Sequence, residues 1–156
     1  MTPSDLCVAC GMCCDGTIFN SVICSKEEAE YMSSFGLKTA KNDKQIKHLL
    51  MNEQTNYLFI QPCPLHVNGN CSIYEDPKKP KTCSGFKCKL LRRVLNNEIT
   101  AEQALVKVER VKKAKKDLGV SSIVEARKLN TEESNRFVQD IRNGFYTKKN
   151  DTKSNK

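Results

Sequence analysis

The sequence predicts a mainly α protein with two parts: a small, loop-rich, cysteine-dense part with short helices, and a C-terminal helical segment. Three observations support this fold class. All nine cysteines lie in the first 88 residues, and residues 61–88 are dense in proline, glycine and asparagine. After Cys88 the chain instead carries helix-capping residues, with apolar residues at three- and four-residue spacing.

The hydrophobic content of the chain is low. Of its 156 residues, which suit one domain, 38% are hydrophobic, and that share includes the nine cysteines. The ordinary apolar core is therefore small, and such a core needs support from disulfides or metal. The first residues have neither the basic nor the apolar region of a secretion signal, so we expect a cytoplasmic protein, in which structural disulfides seldom persist. Metal ligation is thus the favoured role of the cysteines, and no membrane span is predicted.

The first part begins with a predicted ligand loop. Residues 1–24 hold five cysteines and two glycines, so we expect a loop here rather than a helix. Ser25 and Glu28 have the spacing of a capping box, which predicts a short helix over residues 26–35 that ends at Gly36. The face of this helix that is expected to point inward contains Ala29, Met32 and Phe35.

Three further elements are predicted between this helix and the last cysteine. Residues 43–51 are expected to form a short helix, and the apolar run at 57–60 a strand. The Asn-Gly pair within residues 67–70 is typical of a tight hairpin turn. Such a turn would fold Cys63 and Cys71 toward each other, which places two thiolates within reach of one ion.

Helical signals dominate the second part. Residues 89–95 predict a short helix, and Thr100 with Gln103 forms another capping box, which opens a longer helix that stops at Gly119. The inner face of the longer helix is expected to contain Ala104, Leu105, Val108, Val111 and Leu118. Two shorter helices are predicted over residues 122–129 and 131–142.

These elements predict a single domain over residues 1–146. It comprises a cysteine-cluster, metal-chelating region at 1–88 and a basic helical region at 89–146. Residues 147–156 are polar, with four lysines and one aspartate, and are predicted to be a disordered tail.

The most informative string is Cys7-x2-Cys10-x2-Cys13-Cys14. A two-residue gap lets both thiolates of a pair face one ion, as in zinc knuckles and in iron–sulfur loops. Eight thiolates would complete two tetrahedral sites, or one iron–sulfur cluster with thiols left over, and the spacing alone does not choose between zinc and iron. The four cysteines added downstream are Cys63, Cys71, Cys83 and Cys88.

Several strings occur in a distinctive order: Cys7-Val8-Ala9-Cys10-Gly11-Met12-Cys13-Cys14, Cys63-Pro64, Cys71-Ser72-Ile73-Tyr74 and Pro80-Lys81-Thr82-Cys83-Ser84-Gly85-Phe86-Lys87-Cys88. Together they resemble the YkgJ-type CxxCxxCC cysteine-cluster family, which is described as a zinc- or iron-chelating domain. The resemblance spans residues 7–88. It implies a metal ligand set of Cys7, Cys10, Cys13, Cys14, Cys63, Cys71, Cys83 and Cys88.

This sequence departs from the family pattern at two places. Lys79-Pro80 stands where the family usually has Arg-Pro, and Ser84 stands where an arginine commonly follows the cysteine. Flagellin lysine methylases are similar in their cysteine cluster, so the resemblance also suggests an enzyme as an alternative.

Two residues beside the cysteine pattern have competing interpretations. Cys24 falls outside the pattern, and we expect it to be a buried thiol rather than a ninth ligand. His66 follows Cys63 at a spacing that would allow zinc ligation. Because eight cysteines already suffice, we expect His66 to be a surface residue in a turn.

The charge of the chain is unevenly distributed. The chain carries a net +8, while residues 77–116 alone hold thirteen Lys and Arg against three Glu. A solvated helix face is the favoured interpretation of this basic segment. Nucleic-acid binding remains an alternative, although the long helix contains no Trp or Tyr beside its charges.

The sequence favours a metal-chelating protein that acts as a binding or accessory module, with a protein partner possible. Its cofactor is predicted to be Zn²⁺ or an iron–sulfur cluster. One alternative is an iron–sulfur redox or methylase-related enzyme, but no glycine-rich nucleotide loop or catalytic motif occurs, so we lean against an enzyme. The second alternative is a zinc-stabilised nucleic-acid-binding protein that uses the 77–116 segment.

Overall fold

Local sequence signals account for most element boundaries. The computed structural model describes residues 1–48 and 53–146, without the side chains of 43–48 and 53–55. In these ranges the chain is mainly helical, with seven helices and five strands. The helices are α1 (Pro3–Cys10), α2 (Lys26–Ser33), α3 (Lys81–Gly85), α4 (Lys89–Leu95), α5 (Ala101–Leu118), α6 (Ile123–Leu129) and α7 (Glu132–Gly144). The strands are β1 (Ser21–Cys24), β2 (Thr39–His48), β3 (Glu53–Ile60), β4 (His66–Val67) and β5 (Asn70–Cys71).

The chain packs into two compact units. One unit, Gly11–Phe86, contains all five strands and is called the sheet unit below. The other, called the helical unit, combines Met1–Cys10 with the chain from Lys87 onward. The single domain predicted for residues 1–146 stays a prediction.

The sheet unit is built on a three-stranded antiparallel sheet in the order β1-β3-β2. Val22 on β1 pairs with Phe59 on β3, and both side chains are buried. Helix α2 contributes Ala29 and Met32 to the same core. The core of this unit consists of Val22, Cys24, Ala29, Met32, Leu37, Phe59 and Ile73.

The capping box at the start of α2 is confirmed. Ser25 Oγ accepts a hydrogen bond from Glu28 N–H at 3.1 Å, and Glu28 Oε2 accepts one from Ser25 N–H at 2.9 Å. The helix ends at Ser33, and Gly36 follows with φ of +84°. The predicted inward position of Phe35 is wrong: it lies beyond the helix and is 41% exposed, with its ring packed edge-on against Tyr31.

The predicted loop over residues 1–24 is wrong at its start, where α1 forms, and at its end, where Ser21–Cys24 forms β1 and pairs with β3. Thr2 N–H donates to Asp5 Oδ2 at 2.8 Å, and Asp5 N–H donates to Thr2 Oγ1 at 3.1 Å. This reciprocal cap, with Pro3 at the first helical position, is a helix-start signal that outweighs the cysteine spacing. Cys7 and Cys10 therefore lie on a helix.

The helix predicted over residues 43–51 is also wrong in the part that the structure describes. Residues 43–48 belong to β2, where Ile46 pairs with Thr55 and His48 with Glu53. Pairing with β3 overrides a weak helical pattern in so short a segment. Residues 49–51 lie outside the described part of the chain. The strand predicted at 57–60 is confirmed as the end of β3.

The predicted hairpin turn is confirmed. Asn68 and Gly69 have φ of +51° and +81°, as a two-residue turn of the primed type requires. They connect β4 and β5, in which His66 lies opposite Cys71.

The helical unit follows the predicted boundaries closely. Thr100 Oγ1 accepts from Gln103 N–H at 3.1 Å and opens α5, and Gly119 ends that helix with φ of +66°. Leu105 and Leu118 are half-buried rather than fully inside. Helix α1 packs against α4 and α5, and α7 packs against α5 and α6. The buried residues of α5 are Ala101, Ala104, Val108 and Val111.

In the part of the chain that the structure describes, no helix has both the length and the apolar character that crossing a membrane requires. The predicted disordered tail, residues 147–156, lies outside that part.

Removing the cap of α5 should destabilise the protein measurably. We expect Thr100→Ala to lower the free energy of unfolding by about 1 kcal/mol, because the Gln103 N–H loses its acceptor. Val106→Ala, on the exposed side of the same helix, should change it by less than about 0.5 kcal/mol. Urea unfolding of both variants at equal metal content tests this, and equal effects would contradict it.

Candidate metal centre

Four of the predicted ligands come together in the sheet unit: Cys14, Cys63, Cys71 and Cys83. They arrive on four separate segments, namely the loop after Gly11, the chain after β3, strand β5 and helix α3. Their proximity is seen in their electrostatics, since the ionisation of Cys14 and of Cys83 is opposed by the thiols of the other members.

Three thiols of this cluster, those of Cys14, Cys63 and Cys83, have raised pKa values. Burial, followed by the neighbouring thiols of Cys71 and Cys63, raises the pKa of Cys14 to about 11. Although the Cys83 residue as a whole is exposed, burial around its sulfur, together with the Cys14 thiol, raises its pKa to about 12. Burial also raises the pKa of Cys63. Several thiols gathered in a poorly solvated place need a cation before they can ionise together.

Three groups of the chain already favour the thiolate form. The Lys79 ammonium lowers the pKa of Cys14 and of Cys83, in opposition to burial. The backbone N–H groups of Leu65 and His66 act in the same direction on the pKa of Cys63. Lys79 therefore supplies a cation that acts on two thiols of the cluster.

The loop that carries Cys14 is shaped by a tight turn at Gly11. The Gly11 carbonyl accepts from Cys14 N–H at 2.9 Å and from Asp15 N–H at 3.0 Å. Gly11 has φ of +62°, which L side chains rarely adopt. A backbone hydrogen bond connects this loop to the chain that enters the hairpin: Cys63 N–H donates to Cys14 O at 2.9 Å.

Helix α3, which carries Cys83, is fixed to the rest of the sheet unit by its first residues. Thr82 Oγ1 donates to the Ile23 carbonyl at 2.7 Å, and Lys81 N–H donates to Glu28 Oε1 at 2.9 Å. The Thr82 side chain and the Lys81 backbone N–H therefore attach this five-residue helix to β1 and α2.

His66 is not the surface residue that we expected. Its side chain is half-buried, and an ideal Cβ placed on Gly11 would lie 2.7 Å from both Cε1 and Nε2 of its ring. Nε2 is buried without a hydrogen-bond partner in the described part of the chain, which costs about 1–3 kcal/mol for an unsatisfied polar group. The spacing Cys63-x2-His66 is the sequence signal that pointed to it.

The remaining predicted ligands are divided between the two units. Cys13 is half-buried in the sheet unit, where its carbonyl accepts from Gln61 Nε2 at 2.8 Å. Cys7 and Cys10 belong to the helical unit, as does Cys88, whose sulfur accepts from Leu91 N–H at 3.4 Å as the cap of α4.

Cys24 is a buried core thiol, as expected. It is fully inaccessible in β1, and burial raises its pKa to about 12. Across the described residues, no group of three or more His, Cys, Asp or Glu side chains is arranged so that it could hold a metal ion.

A second candidate surface lies in the helical unit. A cavity of about 230 Å³ has three cationic side chains around it, with Leu90, Val111 and Phe145 on its apolar side. Asp140 is the one carboxylate in its lining, and it pairs with an arginine there at 3.4 Å. The three cations are Arg93, Lys107 and Arg110.

No protein-family model, curated protein or solved structure matches this chain. The resemblance to the YkgJ-type family therefore stays a prediction based on the cysteine pattern.

Substituting Gly11 tests the contact with His66. Gly11→Ala should lower the free energy of unfolding by about 1 kcal/mol more than Gly36→Ala does. Both positions have positive φ, but nothing lies within 4 Å of an ideal Cβ at Gly36. Thermal or urea unfolding measures the difference.

The excess cost should disappear in a His66→Ala background, because the obstructing ring is then gone. Equal costs at the two glycines, or an excess that survives removal of the ring, would mean that the ring does not confine this turn.

Proposed function

We propose that this protein is a cytoplasmic metal-chelating module in which the eight cysteines of the pattern supply thiolate ligands to zinc or to an iron–sulfur cluster. The observation that carries the proposal is the grouping of Cys14, Cys63, Cys71 and Cys83 in the sheet unit. Neighbouring thiols of this group contribute to the raised pKa of Cys14 and to that of Cys63. Four thiolates on independent segments are the donor set of a structural tetrahedral site.

The chemistry of the site fits such a group. Soft thiolates select zinc and iron–sulfur clusters over hard cations. Lys79 and the N–H groups of Leu65 and His66 all stabilise the thiolate form of these cysteines. A thiolate that binds a metal retains negative charge, so the same groups would support the ligands. A bound metal would supply a cross-link between segments that have little structure of their own.

The expected role of the metal is to stabilise the fold. Strands β4 and β5 have two residues each and α3 has five, so hydrogen bonding alone gives these elements little stability. Binding of a structural zinc contributes roughly 10–16 kcal/mol to the folding of small zinc domains. We propose that metal ligation supplies the folding free energy that the small apolar core does not. We also propose that the module acts by binding a partner rather than by catalysis.

A second candidate function is nucleic-acid binding through the helical unit. Arg93, Lys107 and Arg110 converge on one cavity, so part of the basic segment is concentrated rather than spread around α5. Two of the three already have acidic partners, Arg93 with Glu98 and Arg110 with Asp140. This candidate therefore ranks below metal chelation.

Metal analysis after anaerobic purification tests the first proposal. The wild-type protein should retain about two zinc ions per chain, or iron and sulfide with absorption near about 400 nm. Cys71→Ser should lose metal and lower the thermal midpoint, because β5 then lacks its ligand. The iron–sulfur outcome would favour the redox or methylase-related alternative.

Cys24→Ala is the matched control, since Cys24 lies in the same unit but is a core thiol. It should keep the wild-type metal content. A metal-free wild-type protein that is fully folded, or unchanged metal content in Cys71→Ser, would refute the role of this cluster.

Salt dependence of binding tests the second candidate. Each phosphate contact on single-stranded RNA contributes about 0.7 to the slope of log Kd against log salt. If Arg93, Lys107 and Arg110 each contact one phosphate, changing all three to Gln should reduce that slope by about 2. Fluorescence anisotropy of a labelled oligonucleotide measures this.

The charge-matched control changes Lys116, Lys128 and Arg142, which do not line the cavity. No binding by the wild-type protein, or an equal change of slope in the two triple variants, would exclude the cavity as a phosphate-binding site.

A further inference from the structure

His66 is a half-buried donor, with a buried Nε2 atom, that the all-cysteine ligand set does not use. It lies in β4 directly opposite Cys71, and three residues after Cys63. Residues directly opposed on antiparallel strands project to the same face, with Cβ atoms about 4.5–5.5 Å apart. The imidazole therefore leaves the hairpin on the same side as the Cys71 thiol, whose charge also acts on Cys63.

The far end of the ring lies at the turn that carries Cys14. The contact with Gly11 involves Cε1 and Nε2, the two atoms farthest from the hairpin backbone. Gly11 O in turn accepts the Cys14 N–H. Gly11 has the backbone conformation and the missing side chain that allow the ring to approach this closely.

Both buried polar side-chain atoms without partners in the described part of the chain lie next to this loop. They are His66 Nε2 and Gln61 Oε1, and the Gln61 amide donates to Cys13 O. Buried polar atoms nearly always have a partner, so an unpartnered imidazole nitrogen next to the cysteine-rich loop requires an explanation. A neutral imidazole nitrogen is a common ligand of zinc, and coordination satisfies it.

Resting on the proposed function, we propose that His66 Nε2 is a ligand of the metal ion held by the hairpin, together with the thiolates of Cys63 and Cys71. One further thiolate, from Cys14 or Cys83, completes the tetrahedron. The centre in the sheet unit is then of the Cys₃His type, and the other thiolate is left for a second ion. Such a mixed donor set favours zinc at this position over an all-cysteine iron–sulfur cluster.

Cadmium-113 NMR on the full-length protein, loaded with ¹¹³Cd²⁺ and labelled with ¹⁵N-histidine, tests this directly. At least one ¹¹³Cd resonance should show scalar coupling to an imidazole ¹⁵N. The chain has two histidines, so the assignment needs two variants. The coupling should vanish in His66→Gln and persist in His48→Gln. His66→Gln should also weaken cadmium binding at this site by at least about 10-fold. Loss of a residue that only orients a ligand already costs about 10-fold, so loss of a ligand itself should cost no less.

The outcomes separate the inference from the proposed function. Bound ¹¹³Cd without any ¹⁵N coupling, or coupling that is lost in His48→Gln instead, overturns the role of His66 and leaves the cysteine centre intact. A wild-type protein that retains no ¹¹³Cd overturns the proposed function itself. Because the coupling is measured first on the unaltered protein, the test does not depend on whether His66→Gln folds.

Discussion

The arrangement of the sulfur atoms depends on two hydrogen bonds that join the Gly11 turn to the chain entering the hairpin. Cys63 N–H donates to Cys14 O at 2.9 Å, and Gln61 Nε2 donates to Cys13 O at 2.8 Å. Both connect segments that are far apart in sequence. They place the cysteine-rich loop beside the residues that follow β3, so the sheet determines where the hairpin begins relative to the loop.

Burial and metal ligation act on the thiols in opposite directions. The environment that raises the pKa of Cys14 and Cys83 keeps them protonated at neutral pH, while a metal ion binds only their thiolate forms. At the proposed centre, metal and protons would therefore compete for these sulfur atoms, and metal affinity would fall as pH falls. The Lys79 ammonium reduces that competition because it lowers the free energy of the thiolates.

Sequence predicts those elements whose determinants are local. The Ser25–Glu28 and Thr100–Gln103 capping boxes and the Asn68-Gly69 turn each act within four residues, and all three form as predicted. The errors at α1 and β2 have different causes. The Thr2–Asp5 cap was a local signal that the density of cysteines obscured. The extended form of residues 43–48 depends instead on pairing with β3, which no local pattern specifies.

The candidate centre likewise depends on long-range contacts that local sequence patterns do not specify. The Cys-x2-Cys spacing and the hairpin turn identified most of the candidate donors, but they could not show which thiols meet. That depends on attachments such as Thr82 Oγ1 to the Ile23 carbonyl, between residues that carry no metal-binding signal. For the same reason His66 was expected at the surface: its burial follows from the shape of the Gly11 turn, which is formed more than fifty residues away in the sequence.

The elements that carry Cys71 and Cys83 are short and gain stability from attachments to the rest of the sheet unit. On one side, α3 is attached to β1 and α2 by side-chain hydrogen bonds, and on the other, the hairpin is attached to the loop by backbone ones. Neither α3 nor the hairpin is long enough to be stable alone. Their thiols influence one another's ionisation, so ionising them together without a cation would add mutually repelling charges. A metal ion at the proposed centre would remove that repulsion and join the two sides, so donors that oppose folding as free thiolates would stabilise it as ligands.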